Sequence, residues 1–284
     1  MLVAYHGSAP GQACTTGSML AVATMLALDY PLKIAVAHTD AGETPLERAY
    51  AKLRYTDRLQ SAAGGGMDAI LRLTECDLLT PALLRDHTES ILKERLDLIA
   101  GAAPGSRQLL AENFPLIKAA AAQYYDILFV DVTATADGTA NDLVSRQALM
   151  HADLIVKTVN QNEFLLERMR LQPMTWSTGD DSGDEGLLCV GAYESTSKLT
   201  LDRIAKQLGT ARKRIGAVPR NVRFMDAMNE GRILDYLLRA MAAKKRFLEH
   251  DEQADFIAAV RSMGKLVLRA LDLAPTGEMS VKEA

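Results

Sequence analysis

Residues 2–28 read LVAYHGSAPGQACTTGSMLAVATMLAL, and this stretch decides the expected fold. The apolar run Leu2–Tyr5 predicts a buried strand, and the small residues that follow predict a loop over His6–Ala13. Residues 15–28 are rich in alanine, leucine and methionine, which predicts a helix. A strand, a small-residue loop and a helix in this order form the architecture that binds phosphate, because amides at a helix N-terminus and the helix dipole attract an anion.

The loop departs from the phosphate-binding pattern G-x-x-x-x-G-K-[ST] at its charged position. Where the pattern has glycine, lysine and a hydroxyl residue in succession, this chain has Ala13, Cys14 and Thr15. The hydroxyl that would hold Mg²⁺ is therefore present, whereas the lysine that would contact the phosphates is absent.

Short apolar runs and helical segments alternate about seven times along the chain. The runs are apolar throughout, so we expect both faces of the sheet to be covered. This indicates an α/β fold with a doubly wound, mostly parallel sheet flanked by helices. We expect one domain over residues 1–284, with C-terminal helices from about residue 232 and a helix over 81–92. The strands predicted after the first are 33–38, 95–100, 126–131, 153–159, 187–192 and 214–218.

The composition is that of a globular protein, with 284 residues, 48% hydrophobic and 24% charged residues, and a net charge of −4. The negative net charge excludes a global attraction to nucleic acid, so any DNA contact needs a local basic patch. The cysteines at 14, 76 and 189 lack CxxC spacing, which argues against a structural zinc site and fits a reducing cytoplasm. We expect neither a signal peptide nor a transmembrane segment.

Ligands of doubly wound sheets bind at the carboxyl ends of the strands, so the residues at these ends are the candidates for a site. Besides the loop itself, they are His38 and Asp40 after the second strand, Asp131 after the fourth, Asn160 after the fifth and Pro219 after the last.

Taken together, these strand ends resemble the MinD/ParA family of deviant-Walker P-loop ATPases, over nearly the whole chain. The family's loop K-G-G-x-G-K-T-T falls on residues 9–16, which read APGQACTT. Its Walker B strand falls on Tyr125–Asp131. The order and spacing of the motifs imply the P-loop NTPase fold. Other similar segments are AHTD at 37–40, RLDLI at 95–99, ADLIV at 152–156 and GAVPRNVRFMDA at 216–227.

The resemblance implies a site for ATP or ADP with Mg²⁺, and a loop without any cofactor is the alternative. The metal ligands that it implies, if nucleotide binds, are Thr15, Asp40 and Asp131. The implied nucleotide contacts are Gly11, Gln12, Ala13, Cys14, Thr15, Thr16, Asn160 and Pro219.

Three departures from the family's pattern bear on activity. Cys14 stands at the Walker lysine, and Ala9 stands at the lysine that crosses the dimer interface in the family. His38 stands at the first acid of the second strand. Each lost lysine removes a charge-assisted hydrogen bond worth roughly 1.5–3 kcal/mol. Phosphoryl transfer relies on positioned charge, so we expect hydrolysis to be weak or absent.

Several candidate residues also have a simpler interpretation. Thr15 and Thr16 are either ligands or an N-cap pair that opens the helix. Asp131 is either a Walker B acid or a strand-end residue. Cys14 is either a thiolate stabilised by the helix N-terminus or, as we favour, a small replacement for an unneeded lysine. For His38 we favour a strand-end histidine that is hydrogen-bonded to the loop.

Degenerate loops recur in the TadZ/CpaE branch of the family, whose members are thought to position Flp/Tad pilus or secretion machinery at a cell pole. The resemblance therefore implies a cytoplasmic localisation or scaffold factor that reaches the membrane's inner face or the pole through partners. A homodimer and partners in a pilus or secretion ATPase complex are expected. Because the chain begins at the ATPase strand, we expect a version without the receiver-like domain that CpaE-like members often carry.

The alternative function is an active ATP-hydrolysing partition or positioning ATPase that acts on a plasmid or chromosome. Two basic runs, 212–214 and 244–246, are candidates for DNA contact, but we favour solvent-exposed helix faces. The segment 275–284 lacks the length and the basic face of an amphipathic membrane helix, so no direct membrane insertion is expected. We expect the acidic segment 179–186 to be a solvated loop.

Overall fold

The computed structural model describes residues 1–42, 44–50, 65–133, 142–171, 186–243 and 251–273. In this part of the chain one sheet contains the strands β1 (Leu2–Gly7), β2 (Ile34–His38), β3 (Glu89–Leu92), β4 (Leu96–Leu98), β5 (Ile127–Val132), β6 (Leu154–Val159), β7 (Leu187–Tyr193) and β8 (Ile215–Pro219). The helices are α1 (Thr15–Asp29), α2 (Pro45–Tyr50), α3 (Gly66–Glu75), α4 (Pro81–Asp86), α5 (Arg107–Ala122), α6 (Leu143–Met150), α7 (Glu163–Leu171), α8 (Leu201–Leu208), α9 (Val222–Asn229), α10 (Ile233–Ala242) and α11 (Glu252–Ala270).

The sheet has the order β3-β4-β2-β5-β1-β6-β7-β8, and its neighbouring strands are parallel except for the antiparallel pair β3 and β4. β1 lies between β5 and β6. After β1 the chain builds one half of the sheet, returns beside β1 as β5, and then builds the other half. The expected doubly wound sheet is confirmed, and its topological switch point is at the carboxyl end of β1.

Helix α1 is enclosed by protein along most of its length. All residues from Ser18 to Asp29 are buried, which explains why this helix is apolar on every side. It packs between the sheet and α11, where Gly264 permits a close crossing: an added Cβ there would lie 3.0 Å from Leu26 Cδ2. This enclosure fixes where the N-terminus of α1 meets the end of β1.

The opposite face of the sheet is covered by two separate groups of helices. α3, α5 and α6 bury residues such as Ile70, Phe114 and Ala148 against the half that contains β2 and β5. α7 and α8 bury Leu166 and Ile204 against β6, β7 and β8. Helices on both faces explain the continuous apolar character of the strands.

The predicted helix over 81–92 is wrong beyond Asp86. Thr80 caps α4 by accepting a hydrogen bond from the Leu83 amide, and the helix ends after one and a half turns. Residues 89–92 form β3, which pairs with β4 at the edge of the sheet. Their apolar spacing is compatible with either structure. Without β3, β4 would be the edge strand and its outer backbone groups would lack partners, which favours a strand here.

Four predictions lie wholly or partly outside the described residues. They are the helix beyond Tyr50, the acidic loop before Gly186, the basic run 244–246 and the tail 275–284. Within the described residues, no helix combines the length and apolar character needed to cross a bilayer.

An ion pair joins the end of α1 to α11 and provides a test of this packing. Asp29 accepts hydrogen bonds from Arg261 Nε at 2.8 Å and Arg261 Nη2 at 2.7 Å. Removing the negative charge weakens both bonds, so we expect Asp29→Asn to lower the free energy of unfolding by about 1–3 kcal/mol. Urea denaturation at pH 7 measures the change. The exposed control Asp226→Asn should stay within about 0.5 kcal/mol of wild type, and equal effects of the two variants would contradict the prediction.

Candidate functional site

The loop between β1 and α1 is held at both ends by side chains of the β6–α7 unit. Ser8 continues the ladder, since its amide donates to the Thr158 carbonyl at 2.9 Å. The Ser8 carbonyl accepts a hydrogen bond from Arg168 Nη2 at 3.0 Å. At the other end, the Gln12 carbonyl accepts one from Asn160 Nδ2, also at 3.0 Å.

These contacts orient the peptide planes of the loop. In a trans peptide the carbonyl and the following N–H point in opposite directions. The amides of Ala9 and Ala13 therefore point away from the two side chains that bind the preceding carbonyls. A third plane is fixed by β7, because the Ala13 carbonyl lies only 2.3 Å from where a Cβ on Gly191 would be. Amides that are fixed beside a helix N-terminus can bind an anion by donating hydrogen bonds to it.

Cys14 occupies the N-cap position of α1 in a left-handed conformation, with φ 52° and ψ 38°. This conformation costs a non-glycine residue roughly 1–2 kcal/mol. The side chain makes no capping hydrogen bond. Although Cys14 is exposed, desolvation by neighbouring protein atoms raises the pKa of its thiol. A raised pKa opposes the hypothesis of a stabilised thiolate at position 14.

The two threonines at the start of α1 bind different strands. Thr15 Oγ1 lies 2.6 Å from Thr158 Oγ1 on β6. Gly7 makes room for this contact, since an added Cβ there would meet Thr15 Oγ1 at 2.5 Å. Thr16 Oγ1 donates to Asp131 Oδ2 at 2.5 Å. The N-cap interpretation of this pair is wrong because Cys14 holds that position and both hydroxyls bind side chains.

Asp131 lies at the end of β5, in register with His38 at the end of β2. The His38 ring is buried, and its Nε2 lies 3.3 Å from Oε1 of Glu47 on α2. The Glu47 carboxylate also accepts hydrogen bonds from the amides of Gly101 and Thr44. Burial raises the pKa of Glu47, but its hydrogen bonds and the charge of His38 outweigh burial and lower it. His38 is therefore hydrogen-bonded to Glu47 on α2 and not to the loop, because the Glu47 carboxylate lies within hydrogen-bonding distance of the ring.

Burial raises the pKa of Asp131 to about 6. The negative charge of Asp40 adds to this rise, whereas the Thr16 hydrogen bond and His38 oppose it. Asp131 is therefore a carboxyl group that the fold holds in an unfavourable charged state at neutral pH, which is common at functional sites.

The remaining predicted residues are spread along the carboxyl edge of the sheet. Gly11 and Gln12 are exposed at the loop tip, and Asp40 is exposed beyond β2. Pro219 ends β8, which is separated from β1 by β6 and β7. Ala9 is 4% exposed, so the position of the family's interface lysine is buried here.

Sequence reasoning missed Arg168, Glu47, Gly191 and Lys157. Lys157 is buried in β6, in register with His6, on the sheet face opposite to Thr158. Burial lowers the pKa of Lys157 to about 7. A lysine inside the apolar run LIVKTV was the available signal for this residue, whereas the sequence contains no comparable signal for Arg168 on its helix.

The fit of this arrangement to Mg²⁺ depends on how many ligand oxygens the protein itself must supply. The described residues contain no group of three or more histidine, cysteine, aspartate or glutamate side chains that could hold a metal ion. However, Mg²⁺ needs only one or two protein oxygens when phosphate and water complete its shell. Thr16 and Asp131 supply such hard oxygens side by side. They fit Mg²⁺ that is held jointly with a phosphate; Thr15, the predicted hydroxyl ligand, faces Thr158.

No protein-family model and no curated protein matches this sequence. Solved structures do match its fold. A ParA family ATPase from Chlorobium tepidum TLS has a TM-score of 0.69 at 16% identity, over 93% of this chain and 98% of that one. MinD from Pyrococcus horikoshii OT3, complexed with Mg-ADP, has a TM-score of 0.63 at 12% identity, over 95% and 98%. A chain of the MinC:MinD cell division protein complex of Aquifex aeolicus has a TM-score of 0.61 at 15% identity, over 94% and 96%.

At these identities the comparison establishes the fold. The sheet and its flanking helices match the MinD/ParA P-loop NTPase fold over nearly the whole chain. The loop, Thr16 and Asp131 therefore occupy the edge of the sheet where this fold has its P-loop.

Gly191 provides a test of how tightly β7 holds the loop. We expect Gly191→Ala to lower the free energy of unfolding by about 1–3 kcal/mol, because the new methyl group collides with the backbone carbonyl of Ala13. Thermal unfolding and hydrogen exchange of the loop amides measure the effect. The control is Gly105→Ala, where an added Cβ meets nothing within 4 Å. Equal stability of the two variants would show that the loop moves freely away from β7.

The variant Asp131→Asn tests how much the ionisation of Asp131 lowers the free energy of unfolding. Because the pKa of Asp131 is about 6 in the folded protein and about 3.9 in an unfolded chain, ionisation destabilises the fold as pH rises from about 4 to 6. Asparagine does not ionise and still accepts the Thr16 hydrogen bond. We expect the variant to be more stable than wild type by about 1–3 kcal/mol at pH 7 and nearly equal at pH 4.

Urea denaturation at pH 4, 5, 6 and 7 follows this difference, with Asp226→Asn as the exposed control. A stability difference that stays constant across the series would contradict the assigned pKa of Asp131.

Proposed function

We propose that this protein is a MinD/ParA-like localisation or scaffold factor that retains the phosphate-binding loop but hydrolyses ATP very slowly or not at all. One observation carries the proposal: residues 8–16 contain no lysine or arginine, whereas the loop backbone is still held in place by Arg168, Asn160 and Gly191. A loop whose backbone is already ordered, but which lacks the lysines that would contact the phosphates, favours nucleotide binding over hydrolysis. The reason is that phosphoryl transfer depends on positioned charge.

The proposed ligand is ATP or ADP with Mg²⁺. The chain's own contribution is the loop amides, the Thr16 hydroxyl and the Asp131 carboxylate. When bound, Mg²⁺ neutralises phosphate charge, which matters more here because Cys14 supplies none. The structural neighbour from Pyrococcus horikoshii contains Mg-ADP, which supports this ligand class for the fold.

We propose a homodimer whose contacts do not include a lysine at position 9, since Ala9 is buried against its own chain. Protein partners are supported by exposed apolar side chains on α6 and α7, two helices that follow one another in the chain. Leu143 and Met150 lie seven residues apart on α6, and Phe164 and Leu171, both 69% exposed, have the same spacing on α7. Residues seven apart share one helix face, so each helix presents an apolar stripe suited to a partner.

The finer assignment that we propose is a TadZ/CpaE-like role on a Flp/Tad pilus or secretion ATPase complex. It is supported by the degenerate loop within a MinD/ParA fold. On this proposal residues 1–284 act as one domain on the cytoplasmic side of the membrane, and the protein reaches a cell pole through its partners.

An active partition or positioning ATPase is the second candidate, and Arg168 is the observation that favours it. Its guanidinium at the Ser8 carbonyl brings a cation to a loop that lacks lysine. Against a DNA-bound form, the described basic run at 212–214 is partly compensated, since Arg212 pairs with Asp202 and donates to the Ile215 carbonyl.

Restoring the lysine separates the two candidates. If the loop lacks only a charge that contacts the phosphates, Cys14→Lys should restore affinity. We therefore expect the Cys14→Lys variant to bind ATP·Mg²⁺ about ten-fold more tightly than wild type does. Isothermal titration with ATP·Mg²⁺ and ADP·Mg²⁺, with light scattering for the oligomeric state, measures this. Cys76→Lys adds the same charge at a distant exposed cysteine and should leave affinity unchanged.

Phosphate release by wild type should equal that of Asp131→Ala, because we expect no turnover from either. Release that requires Asp131, together with nucleotide-driven dimer formation, would instead favour the ATPase. No binding of either nucleotide at millimolar concentration would refute nucleotide binding by this loop.

A further inference from the structure

We propose that Arg168 is a positioning residue of the loop. It places a positive charge at a loop carbonyl, on the side away from the ligand, whereas the lysines of the family's P-loops place theirs on the ligand side. The inference rests on the proposed binding of a phosphorylated ligand. It is carried by the hydrogen bond from Arg168 Nη2 to the Ser8 carbonyl at 3.0 Å.

Arg168 is held firmly enough to act on the loop. It lies in the last turn of α7, and the neighbouring residues Leu165 and Leu166 are buried. Leu166 packs against the sheet together with Val159 and Val190. Residues 160–162 and the first six residues of α7 therefore connect β6, the strand that pairs with β1, to the arginine.

The direction of the contact decides how Arg168 acts. The Ser8 carbonyl points at the guanidinium, so the Ala9 amide, on the other side of the same peptide, points away from it. A phosphate that accepts a hydrogen bond from the Ala9 amide therefore lies on the opposite side of the loop from Arg168. The arginine does not touch such a ligand, and its effect passes through the peptide group.

Two physical effects follow from a cation at that carbonyl. It orients the peptide, so the amide is already directed toward the ligand when the ligand arrives. It also polarises the peptide, because hydrogen bonds in a chain strengthen one another. Asn160 provides a neutral comparison, since its amide holds the Gln12 carbonyl at the same distance without a charge.

A simpler role for Arg168 is to complement the dipole at the C-terminal end of α7. Arg170 lies in the same last turn and is exposed, so it shares that role without a contact to the loop among the described hydrogen bonds. Arg170→Gln is therefore the matched control for Arg168→Gln.

The experiment titrates ATP and inorganic pyrophosphate, each with Mg²⁺, into wild type, Arg168→Gln, Arg168→Lys and Arg170→Gln. Glutamine keeps a hydrogen-bond donor without charge, and lysine keeps the charge. We expect Arg168→Gln to lose about ten-fold affinity for both ligands, Arg168→Lys to retain most of it, and Arg170→Gln to stay within two-fold. Thermal unfolding of the three variants confirms that each is folded.

Two measurements distinguish an effect of the positive charge of Arg168 from an effect of its hydrogen bond on the position of the loop. The salt dependence of affinity should become shallower in Arg168→Gln and not in Arg168→Lys. Hydrogen exchange of the loop amides without ligand should accelerate in Arg168→Gln relative to Arg170→Gln. Equal affinities of these two glutamine variants, or loss in Arg168→Lys as large as in Arg168→Gln, would overturn the proposed charge.

Failure of the proposed function has a different signature. If wild type binds neither ATP nor pyrophosphate, ligand binding by the loop is refuted, and the role of Arg168 as a substitute charge is refuted with it. If wild type binds and Arg168→Gln binds equally well, only the inference about Arg168 is overturned.

Discussion

Burial of helix α1 is the constraint on which the rest of the site depends. The helix is enclosed between the sheet and α11, and Arg261 holds its C-terminal residue Asp29. A helix that is apolar on all sides has no stable alternative to this enclosure. Its N-terminus is therefore fixed beside β1, which brings Thr16 to Asp131 on one side and Thr15 to Thr158 on the other.

The loop is held by neighbouring side chains and carries no lysine or arginine at residues 8–16. Front-facing cations are absent from positions 9 and 14, and Ala9 is buried. Arg168 and Asn160 from the β6–α7 unit donate hydrogen bonds to the loop carbonyls. Two local features of this geometry lower the stability of the fold, namely the positive φ of Cys14 and the ionisation of Asp131, whose pKa is raised. Backbone strain and perturbed pKa values of this kind cluster at functional sites.

Periodicity predicted the parts of the fold in which local and tertiary preferences agree. The strands, which are apolar along their length, and helix α1 were found within a few residues of their predicted ends. The exception is β3, where a short segment took the structure offered by an edge strand. Periodicity did not predict which half of the sheet each strand joins, because strand order depends on contacts between distant segments.

The sequence by itself determined the strand–loop–helix unit, the absence of lysine from the loop and the residues that end the strands. These are properties of consecutive residues. Only the tertiary structure decided that Thr16 rather than Thr15 meets Asp131, that His38 pairs with Glu47, and that Arg168 reaches Ser8, 160 residues away. Those contacts depend on how neighbouring strands and their following helices are placed, and a spacing along the chain does not encode a side chain's direction across the sheet.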